Sequence, residues 1–445
     1  MSDARQAGRI RDFMARVLSR IKAPASIGFG QGVMFLAYNA LFNLGILGIN
    51  DVVLNFYFVS LGYDRQAIGL LQSIPRIGGL LTSVPIAFLT NRIGARRMMI
   101  FATVGLALAF LLMLIDPSPT MMIVSRFLTG FFYGAQQIAL VPLMVVMVER
   151  RHQSRFFAVH NLVSTAAMSL GSLLGGWLPA LVVTLLHGLV PAAWVVNAQT
   201  PFAYGAAVAI ASLLALLSIL PFLYVRTDSA IQPRRARGEP RVRRKTPWKL
   251  VFLLTFPMIP FGFTGGLTFP FYNLFFRTRF NLPDETVGTI LAIGWIGMAV
   301  LPMLGPALER RVGRAWGLAI VMGLAGVAFV ALGSSFLLLP AGIAFFFAIA
   351  FRNMMNPIFH PMLMDHLPPD LHNIASSMIQ VLWSVGWFSA TAISGVWQET
   401  YGFTFIMQVV AVGVLIVGAA AVMIYRKREI LRVRPEAALP EAVLP

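Results

Sequence analysis

Four ionisable side chains stand inside otherwise apolar segments of the chain: Asp51, Arg76, Arg126 and Arg352. An ionisable group in an apolar run is costly to bury, so each of the four is a candidate functional residue. Asp51 is a candidate proton or cation site, or the counter-ion of a binding-site arginine; the alternative is a fixed structural pair with Arg76. Three arginines against one aspartate leave an excess of positive charge, and arginine binds carboxylates and phosphate esters through paired hydrogen bonds. A bound molecule with anionic character is therefore favoured.

Arg126 begins a polar stripe on its predicted helix. Tyr133 and Gln137 follow it at positions +7 and +11, so all three fall within about 40° on one helix face. Gly130 lies between them and leaves room for a ligand or for a close helix. The alternative role for Arg126 is structural, with its guanidinium satisfied by backbone carbonyls or by Asp51.

Arg352 begins a second polar stripe, with Asn356 at +4 and His360 at +8 on the same face. No acidic residue lies inside the apolar segments of this half of the chain, so we expect Arg352 either to meet Asp51 or to be completed by an anionic ligand. Contact with backbone carbonyls is the structural alternative. Further aromatic and amide residues that could shape a pocket are Tyr38, Tyr272, Asn273, Trp295, Gln380, Trp383 and Trp387.

Several kinds of chemistry are excluded by the residues that the chain lacks. It contains no cysteine, which excludes disulfides, thiol catalysis and cysteine-based metal sites. It also has no glycine-rich loop ending in Lys-Ser or Lys-Thr, no His-Glu-x-x-His and no acidic cluster, so we expect no ATP site, no cofactor and no metal. The energy source must then be an ion gradient or a solute gradient, or the protein must act without an energy source.

The elements that must position these residues are membrane spans. Apolar residues make up 58% of the 445, charged residues only 12%, and the mean hydropathy is +0.77, which indicates an all-α integral membrane protein. The apolar runs predict twelve spans, at residues 31–60, 66–90, 97–115, 120–148, 156–185, 202–225, 249–276, 286–308, 315–333, 337–364, 374–397 and 403–425.

The positive charges predict the orientation. With the N-terminus inside, the inner segments carry 29 of the 35 Lys and Arg residues and the outer loops carry three. We therefore expect both termini in the cytoplasm and a location in the cell inner membrane. The formal charge of +18 is expected to face the anionic lipids of the inner leaflet and not to bind nucleic acid. Residues 1–28 include a basic amphipathic stretch that is typical of a helix lying on that leaflet.

A repeat divides the chain into two six-span halves. At one offset of 219 residues, Gly69 matches Gly288, Gly94 matches Gly313, Pro142 matches Pro361 and Gly176 matches Gly395. Two pseudo-symmetric halves at residues 29–225 and 249–425 are predicted, with a basic linker at 226–248 and a tail at 426–445. Repeated halves with a binding site between them at mid-depth are a common build for secondary transporters.

The segment Ala87–Arg97, AFLTNRIGARR, resembles the loop signature of the major facilitator superfamily, and the resemblance covers nearly all of the chain. Arg92, Gly94, Arg96 and Arg97 match its basic and glycine positions, whereas Ala87 and Asn91 replace its first glycine and its aspartate. The stretch Arg126–Gly134 is similar to the family pattern of span four, and Gly171–Gly176 to the antiporter motif, except that Ser172 replaces a proline. The resemblance implies a cavity lined by spans one, four, seven and ten. It also implies a gating loop at residues 91–97. In the family the aspartate of this loop helps to hold the two halves together on the cytoplasmic side, and here Asn91 replaces it.

The leading hypothesis is a monomeric secondary active transporter that moves a small solute by alternating access. The solute is expected to be anionic and the transport to be coupled to protons or another ion. The alternative within transport is proton-driven efflux of apolar or drug-like compounds, with Asp51 as the proton site. Two other classes are a membrane enzyme acting on lipid, for which no second catalytic group is found beside Asp51, and a transport-dead sensor or scaffold.

Overall fold

The computed structural model describes residues 29–148, 152–189, 191, 196–225, 247–368 and 371–433, and this part of the chain is helical. Twelve long helices follow one another in it. Their bounds are α1 Gly30–Ser60, α2 Arg65–Ile93, α3 Ala95–Ile115, α4 Pro119–Met147, α5 Gln153–Leu186, α6 Pro201–Leu223, α7 Trp248–Phe280, α8 Asp284–Val312, α9 Arg314–Ser334, α10 Leu338–Met364, α11 His372–Thr400 and α12 Gly402–Val433.

The helices have the length and composition of membrane spans. Eleven of those in the described residues are long and apolar enough to cross a bilayer. The twelfth, α2, is 29 residues long and carries Arg65, Arg76 and Arg92, which makes it the most charged of the candidates in its half. All twelve predicted spans are therefore found as helices, although α12 continues to Val433, past the predicted end of the last span. Most of the predicted N-terminal segment and linker lies outside the described residues.

The chain folds as two bundles of six helices. In the first bundle α2 packs against α4, α3 against α4 and α6, and α1 against α5; in the second, α7 packs against α11, α9 against α10 and α12, and α8 against α10. The bundles meet chiefly along two interfaces, α2 with α11 and α5 with α8. The predicted all-α fold of two six-helix halves is confirmed.

The offset of 219 residues recurs in the helix boundaries. Helices α3 and α9 begin at Ala95 and Arg314, and each follows a glycine with a positive φ, Gly94 at +88° and Gly313 at +79°. A side chain is strained in that backbone conformation, so both halves keep glycine at this turn. Helices α5 and α11 also begin one offset apart, at Gln153 and His372. The repeat predicted from single residues is thus a repeat of whole helices.

Three of the helices are interrupted near mid-depth. Helix α1 contains a π-helical turn at Leu44–Ile49, α7 a short 3-10 turn at Phe269–Phe271, and α10 a break at Met354. Such irregular turns release backbone groups and often occur at functional sites. They stand next to Asp51, Pro270 and Arg352, so the irregular backbone surrounds the region where the ionisable side chains gather.

The two ends of the bundle differ in charge. We call the end that carries Arg92, Arg96, Arg97, Arg310 and Arg311 the basic face, and the other end, where α1 finishes and α2 begins, the opposite face. At the basic face of the second half, Arg314 pairs with Glu309 and with Asp365 and so ties the ends of α8, α9 and α10 together. In the first half Arg96 donates to the carbonyl oxygen of Leu223 instead, at 2.9 Å.

Candidate functional site

A cavity of about 730 Å³ lies between the two bundles at mid-depth. Its walls come chiefly from α1, α2, α4, α7, α10 and α11, which include the four spans expected from the family resemblance. Seven of the eight predicted site residues line it: Asp51, Arg76, Arg126, Tyr133, Arg352, Asn356 and His360. The apolar part of the wall includes Leu54, Phe110, Met168, Phe261, Phe269 and Met298.

Arg76 reaches from α2 across to the other half of the molecule. Its guanidinium carbon lies 4.6 Å from the ring centre of Trp383 and 4.5 Å from that of Trp387, both on α11. The two indoles are themselves 5.0 Å apart and one helical turn from each other. Within the described part of the chain, the Arg76 guanidinium has cation–π contacts and no hydrogen bond or ion pair.

Arg126 is buried and satisfied by α2. Its Nε donates to the carbonyl oxygen of Leu71 at 3.2 Å and its Nη2 to Oε1 of Gln72 at 2.7 Å. Gly130, one turn further along α4, lies so close to the backbone of Pro75 that a Cβ there would overlap it. The close approach of α4 to α2 lets the arginine side chain reach the α2 backbone.

Arg352 is buried and satisfied by α7. Its Nη2 donates to the carbonyl oxygen of Phe261 at 2.6 Å, its Nε lies 3.4 Å from the hydroxyl oxygen of Thr264, and its guanidinium carbon is 4.1 Å from the Phe261 ring centre. The structure therefore shows the carbonyl contact that the sequence left as an alternative. The expected pairing with Asp51 is absent from the described residues.

Asp51 follows the π-helical turn of α1 and faces the cavity. In the described part of the chain its carboxylate forms no hydrogen bond and no ion pair, so the structural pair with Arg76, which the sequence left as an alternative, is not formed in this conformation. The neighbouring Asn50 is buried, and neither atom of its amide group has a partner among the described residues. The carboxylate is therefore available to a proton, a cation or a bound molecule.

The remaining predicted residues extend the cavity wall. Tyr133 interacts with Gln137 through their side chains, but Gln137 is not among the lining residues. Asn356 and His360 line the cavity on the basic-face side of Arg352 and are exposed, as is Gln380 on α11. The cavity is accordingly accessible from the basic face.

A buried chain of amides joins the cavity to the opposite face. Gln72 accepts from Arg126 and donates to Oδ1 of Asn55 at 2.6 Å, and Asn55 in turn donates to Oδ1 of Asn273 at 2.9 Å. Asn273, on α7, donates to the carbonyl oxygen of Val52 at 2.8 Å. The contact of α1 with α7 thus connects the two halves through hydrogen bonds, directly beside Arg126.

Two further contacts close the opposite face. Tyr204 of α6 donates to a carboxylate oxygen of Asp284 at 2.5 Å, and Asp284 lies 3.5 Å from Arg277. On the other side, the backbone N–H of Arg65 donates to Glu399 at 2.9 Å and its guanidinium to the carbonyl oxygen of Gln398 at 3.2 Å. The cavity is closed toward the opposite face.

The α2–α3 turn lies at the basic face, away from the cavity. Asn91 and Arg92 belong to the last turn of α2, Gly94 makes the turn, and Arg96 and Arg97 begin α3. Arg92 and Arg97 are exposed. The gating role implied for this loop by the family resemblance stays a prediction.

Reasoning from the sequence missed Gln72 and Asn55. Each stands four residues from a residue that was singled out, Gln72 before Arg76 and Asn55 after Asp51, so helical spacing could have found them. Among the seven aromatic and amide residues that could shape a pocket, Gln380, Trp383 and Trp387 line the cavity. Tyr38 instead bonds Thr103 inside the first bundle, at 2.9 Å.

Known proteins of similar fold are membrane transporters. The solved structure of a bacterial homologue of the human lysosomal transporter Spinster, inward-facing and occupied, is similar with a TM-score of 0.71 and 13% identity, over 91% of this chain and 98% of that one. A bacterial homologue of the iron transporter ferroportin, in an inward-facing state, gives 0.67 and 14%, over 88% and 98%. The nucleoside transporter NupG gives 0.68 and 13%, over 89% and 100%.

Sequence comparison agrees with this likeness of fold. Comparison with curated protein sequences gave no match. The sequence model of the Major Facilitator Superfamily matches residues 27–391 and, in a second match, residues 254–442. Two overlapping matches of this extent cover both six-helix halves, the cavity between them and the loop at Gly94. This chain is therefore a multi-pass membrane transporter, not an enzyme, and belongs to the Major Facilitator Superfamily.

Proposed function

We propose that this transporter moves a small organic anion across the membrane by alternating access, and that Asp51 couples the movement to a proton or another monovalent cation. The observation that carries the proposal is the content of the cavity. Arg76, Arg126 and Arg352 face one carboxylate, so the site has an excess of positive charge at mid-depth in an apolar medium. A bound anion would reduce this excess.

In alternating access the cavity opens to one side of the membrane at a time, so each end of the bundle must be able to close while the other is open. The opposite face is closed by three separate contacts between the halves, whereas the cavity wall is exposed toward the basic face. The rigid packing inside each six-helix bundle suits rocking of one half against the other around the cavity. The conformation described here corresponds to the state open at the basic face.

The orientation in the membrane follows from the charges. We infer that the basic face is cytoplasmic, because the predicted inner segments carry 29 of the 35 basic residues. A location in the cell inner membrane, contact with an anionic inner leaflet and a monomeric state belong to the same proposal. The cavity lies within one chain, so a monomer is sufficient for transport.

Asp51 is the coupling group because it is the one acidic side chain in the cavity wall of the described chain. In proteoliposomes, Asp51→Asn should lose uphill transport driven by a proton or sodium gradient. Exchange of bound solute across the membrane should persist, since exchange needs no change in the charge of Asp51. Uphill transport at the wild-type rate in Asp51→Asn would remove the coupling role.

The anion preference is tested by ligand-induced stabilisation of the purified protein. A ligand that binds the folded state raises its melting temperature by mass action, so a screen should pair each anion with a neutral compound of the same shape. We expect stabilisation by organic anions and not by their neutral partners. Stabilisation by neutral or cationic compounds alone would contradict the proposed substrate class and favour efflux of apolar compounds.

A further inference from the structure

We propose that Arg76, together with Trp383 and Trp387, forms the anion subsite of the cavity, and that the ligand is a carboxylate or a phosphate monoester with an apolar, preferably aromatic, body. This inference rests on the proposed function and deepens it. The proposed function states only that an anion is bound somewhere in the cavity. The inference assigns the group that binds it and the chemistry of the rest of the ligand.

The three cavity arginines differ in what their donors already bind. Arg126 uses donors on a carbonyl oxygen and an amide oxygen of α2, and Arg352 uses a donor on a carbonyl oxygen of α7. Across the described residues, Arg76 alone of the three has no hydrogen-bond acceptor, and it lines the cavity. A guanidinium has five N–H donors and is very costly to leave unsatisfied at mid-depth. An anion that enters the cavity therefore binds to Arg76 in preference to the other two arginines.

The two indoles fix the orientation of the Arg76 guanidinium. Cation–π contacts at 4.6 Å and 4.5 Å hold the guanidinium against both indoles. No hydrogen-bond acceptor meets its N–H donors among the described residues, so the planar group can bind a carboxylate or two oxygens of a phosphate. Trp387 is buried and packs 5.6 Å from Phe269, which limits the movement of the indole that supports the arginine.

The surroundings of Arg76 determine the body of the ligand. Beside the guanidinium the wall includes the two indoles and Tyr133, and the second half adds the apolar side chains of Phe261, Phe269 and Met298. A small inorganic anion would leave this apolar surface of an approximately 730 Å³ cavity in contact with water. An aryl or alkyl group attached to the anion would bury it, and therefore binds more tightly.

The subsite is shared between the two halves. Arg76 belongs to α2 and the indoles to α11, and these helices form one of the two interfaces between the halves. At the position one repeat offset away, the other interface has Trp295, which is fully buried and donates to the hydroxyl oxygen of Ser172 at 3.0 Å. Only one of the two equivalent positions therefore presents a charge to the cavity.

The test uses the full-length purified protein and five probes. Phenylacetate and phenyl phosphate carry the two anionic groups on one aromatic body, 2-phenylethanol and phenethylammonium are the neutral and cationic counterparts, and acetate lacks the body. Binding is measured by calorimetry and by quenching of tryptophan fluorescence. We expect phenylacetate or phenyl phosphate to bind at least about tenfold more tightly than 2-phenylethanol and acetate, a difference of one charge-assisted contact.

The variants separate Arg76 from the other arginines. Arg76→Gln should weaken binding of the aromatic anion by about thirtyfold or more, and Arg76→Lys by about tenfold, because lysine keeps the charge but not the planar donors. Arg279→Gln is the matched control, since Arg279 also lies over an aromatic ring, at 5.1 Å from Phe336, but at the opposite face. That control should bind as the wild type does, and Trp387→Phe should lose most of the fluorescence quenching.

The outcomes distinguish this inference from the proposed function. If Arg76→Gln and Arg76→Lys bind the aromatic anion as tightly as the wild type while Arg126→Gln does not, the subsite is wrong and the proposed function survives. If acetate binds as tightly as phenylacetate, the apolar body is wrong. If phenethylammonium or 2-phenylethanol binds more tightly than both aromatic anions, the anion preference fails, and the proposed substrate class with it.

Discussion

The two interfaces between the halves share a backbone contact and differ in their side chains. At α2–α11, Gly69 lies against Gly395, and at α5–α8, Gly288 lies against Gly176; a Cβ at any of the four would press on the facing backbone. Two turns further along α2 and α8 the interfaces diverge. Arg76 stands at one and Trp295 at the equivalent place of the other.

This divergence separates two tasks of the same architecture. Trp295 stacks on Phe269 at 4.8 Å and donates to Ser172, so the α5–α8 interface is a neutral, satisfied contact. Among the described residues the Arg76 guanidinium lies against two indoles and has no hydrogen-bond acceptor, so its donors at the α2–α11 interface can serve the proposed ligand. Under the proposed function one interface holds the halves together and the other also takes part in binding, although the two are related by the same repeat offset.

The largest effect is expected when the neutral interface receives the charge of its counterpart. Trp295→Arg would place a guanidinium in a fully buried site bordered by Phe269 and Phe345, where the indole has the Ser172 hydroxyl as its hydrogen-bond partner among the described residues. The free energy of unfolding should fall by about 4 kcal/mol or more, which is the range for an uncompensated buried charge. The measurement is unfolding of the purified protein in detergent.

Trp295→Phe is the control for that substitution, because it removes the hydrogen bond and keeps an aromatic ring. It should cost about 1–3 kcal/mol, from the lost bond and the smaller ring. A Trp295→Arg protein as stable as the wild type would show that the two interfaces are interchangeable.

The second prediction addresses the contact that the interfaces share. Gly395→Val would push α11 away from the backbone of Arg65 and Gln66 and so disfavour closure of the opposite face. Because the chain has no cysteine, a disulfide between cysteines introduced at Arg65 and Glu399 reports this closure directly. Its yield should fall by about tenfold, the effect of a shift of about 1.4 kcal/mol.

Gly342→Val provides the control, since nothing lies within 4 Å of a Cβ at that position. Its yield should equal that of the parent cysteine pair. Equal yields in Gly395→Val and Gly342→Val would mean that the close glycine approach does not hold the opposite face closed.

A third prediction concerns the amide chain beside the α2–α11 interface. Asn273→Leu removes one hydrogen bond to the carbonyl oxygen of Val52 and one from the amide of Asn55, which keeps the carbonyl oxygen of Pro270 as a partner, so the closed conformation should lose about 1 kcal/mol. Crosslinking across the opposite face should decrease accordingly. Thr278→Val, which removes a bond within α7 to the carbonyl oxygen of Leu274, should leave the crosslink unchanged.

The smallest effect is expected at the basic face, where the halves differ again. Arg314→Gln removes the pairing with Glu309 and Asp365; the equivalent position of the first half is Ala95, whose side chain can form no ion pair. These side chains are partly exposed, so the cost should be below about 1 kcal/mol and should vanish in about 1 M salt. Arg311→Gln, at an exposed arginine of the same turn, is the control, and a loss independent of salt would argue against an ionic role.

Much of the fold could be predicted from the sequence. Long apolar runs can satisfy their backbone in a membrane only as helices, so the twelve spans follow from composition and length. Glycines at one offset of 219 predicted the repeat, and the structure explains why they are glycines: four of them lie where helices touch backbone to backbone, and the other two, Gly94 and Gly313, turn with a positive φ. Burial cost alone was enough to single out Asp51, Arg76, Arg126 and Arg352.

The partners of those ionisable residues were decided by the tertiary structure alone. For Arg352 the sequence left Asp51, an anion and backbone carbonyls open, and its guanidinium donates to the carbonyl oxygen of Phe261. Arg76, for which a pair with Asp51 was one alternative, lies on Trp383 and Trp387. Helical spacing shows which residues of one helix share a face, but not which face of another helix lies opposite. The sequence by itself therefore determined the helices, their repeat, and which ionisable residues are costly to bury in apolar segments. Which arginine keeps its donors free depends on distances of a few ångströms between helices far apart in the chain, and these are set only when the two halves pack together.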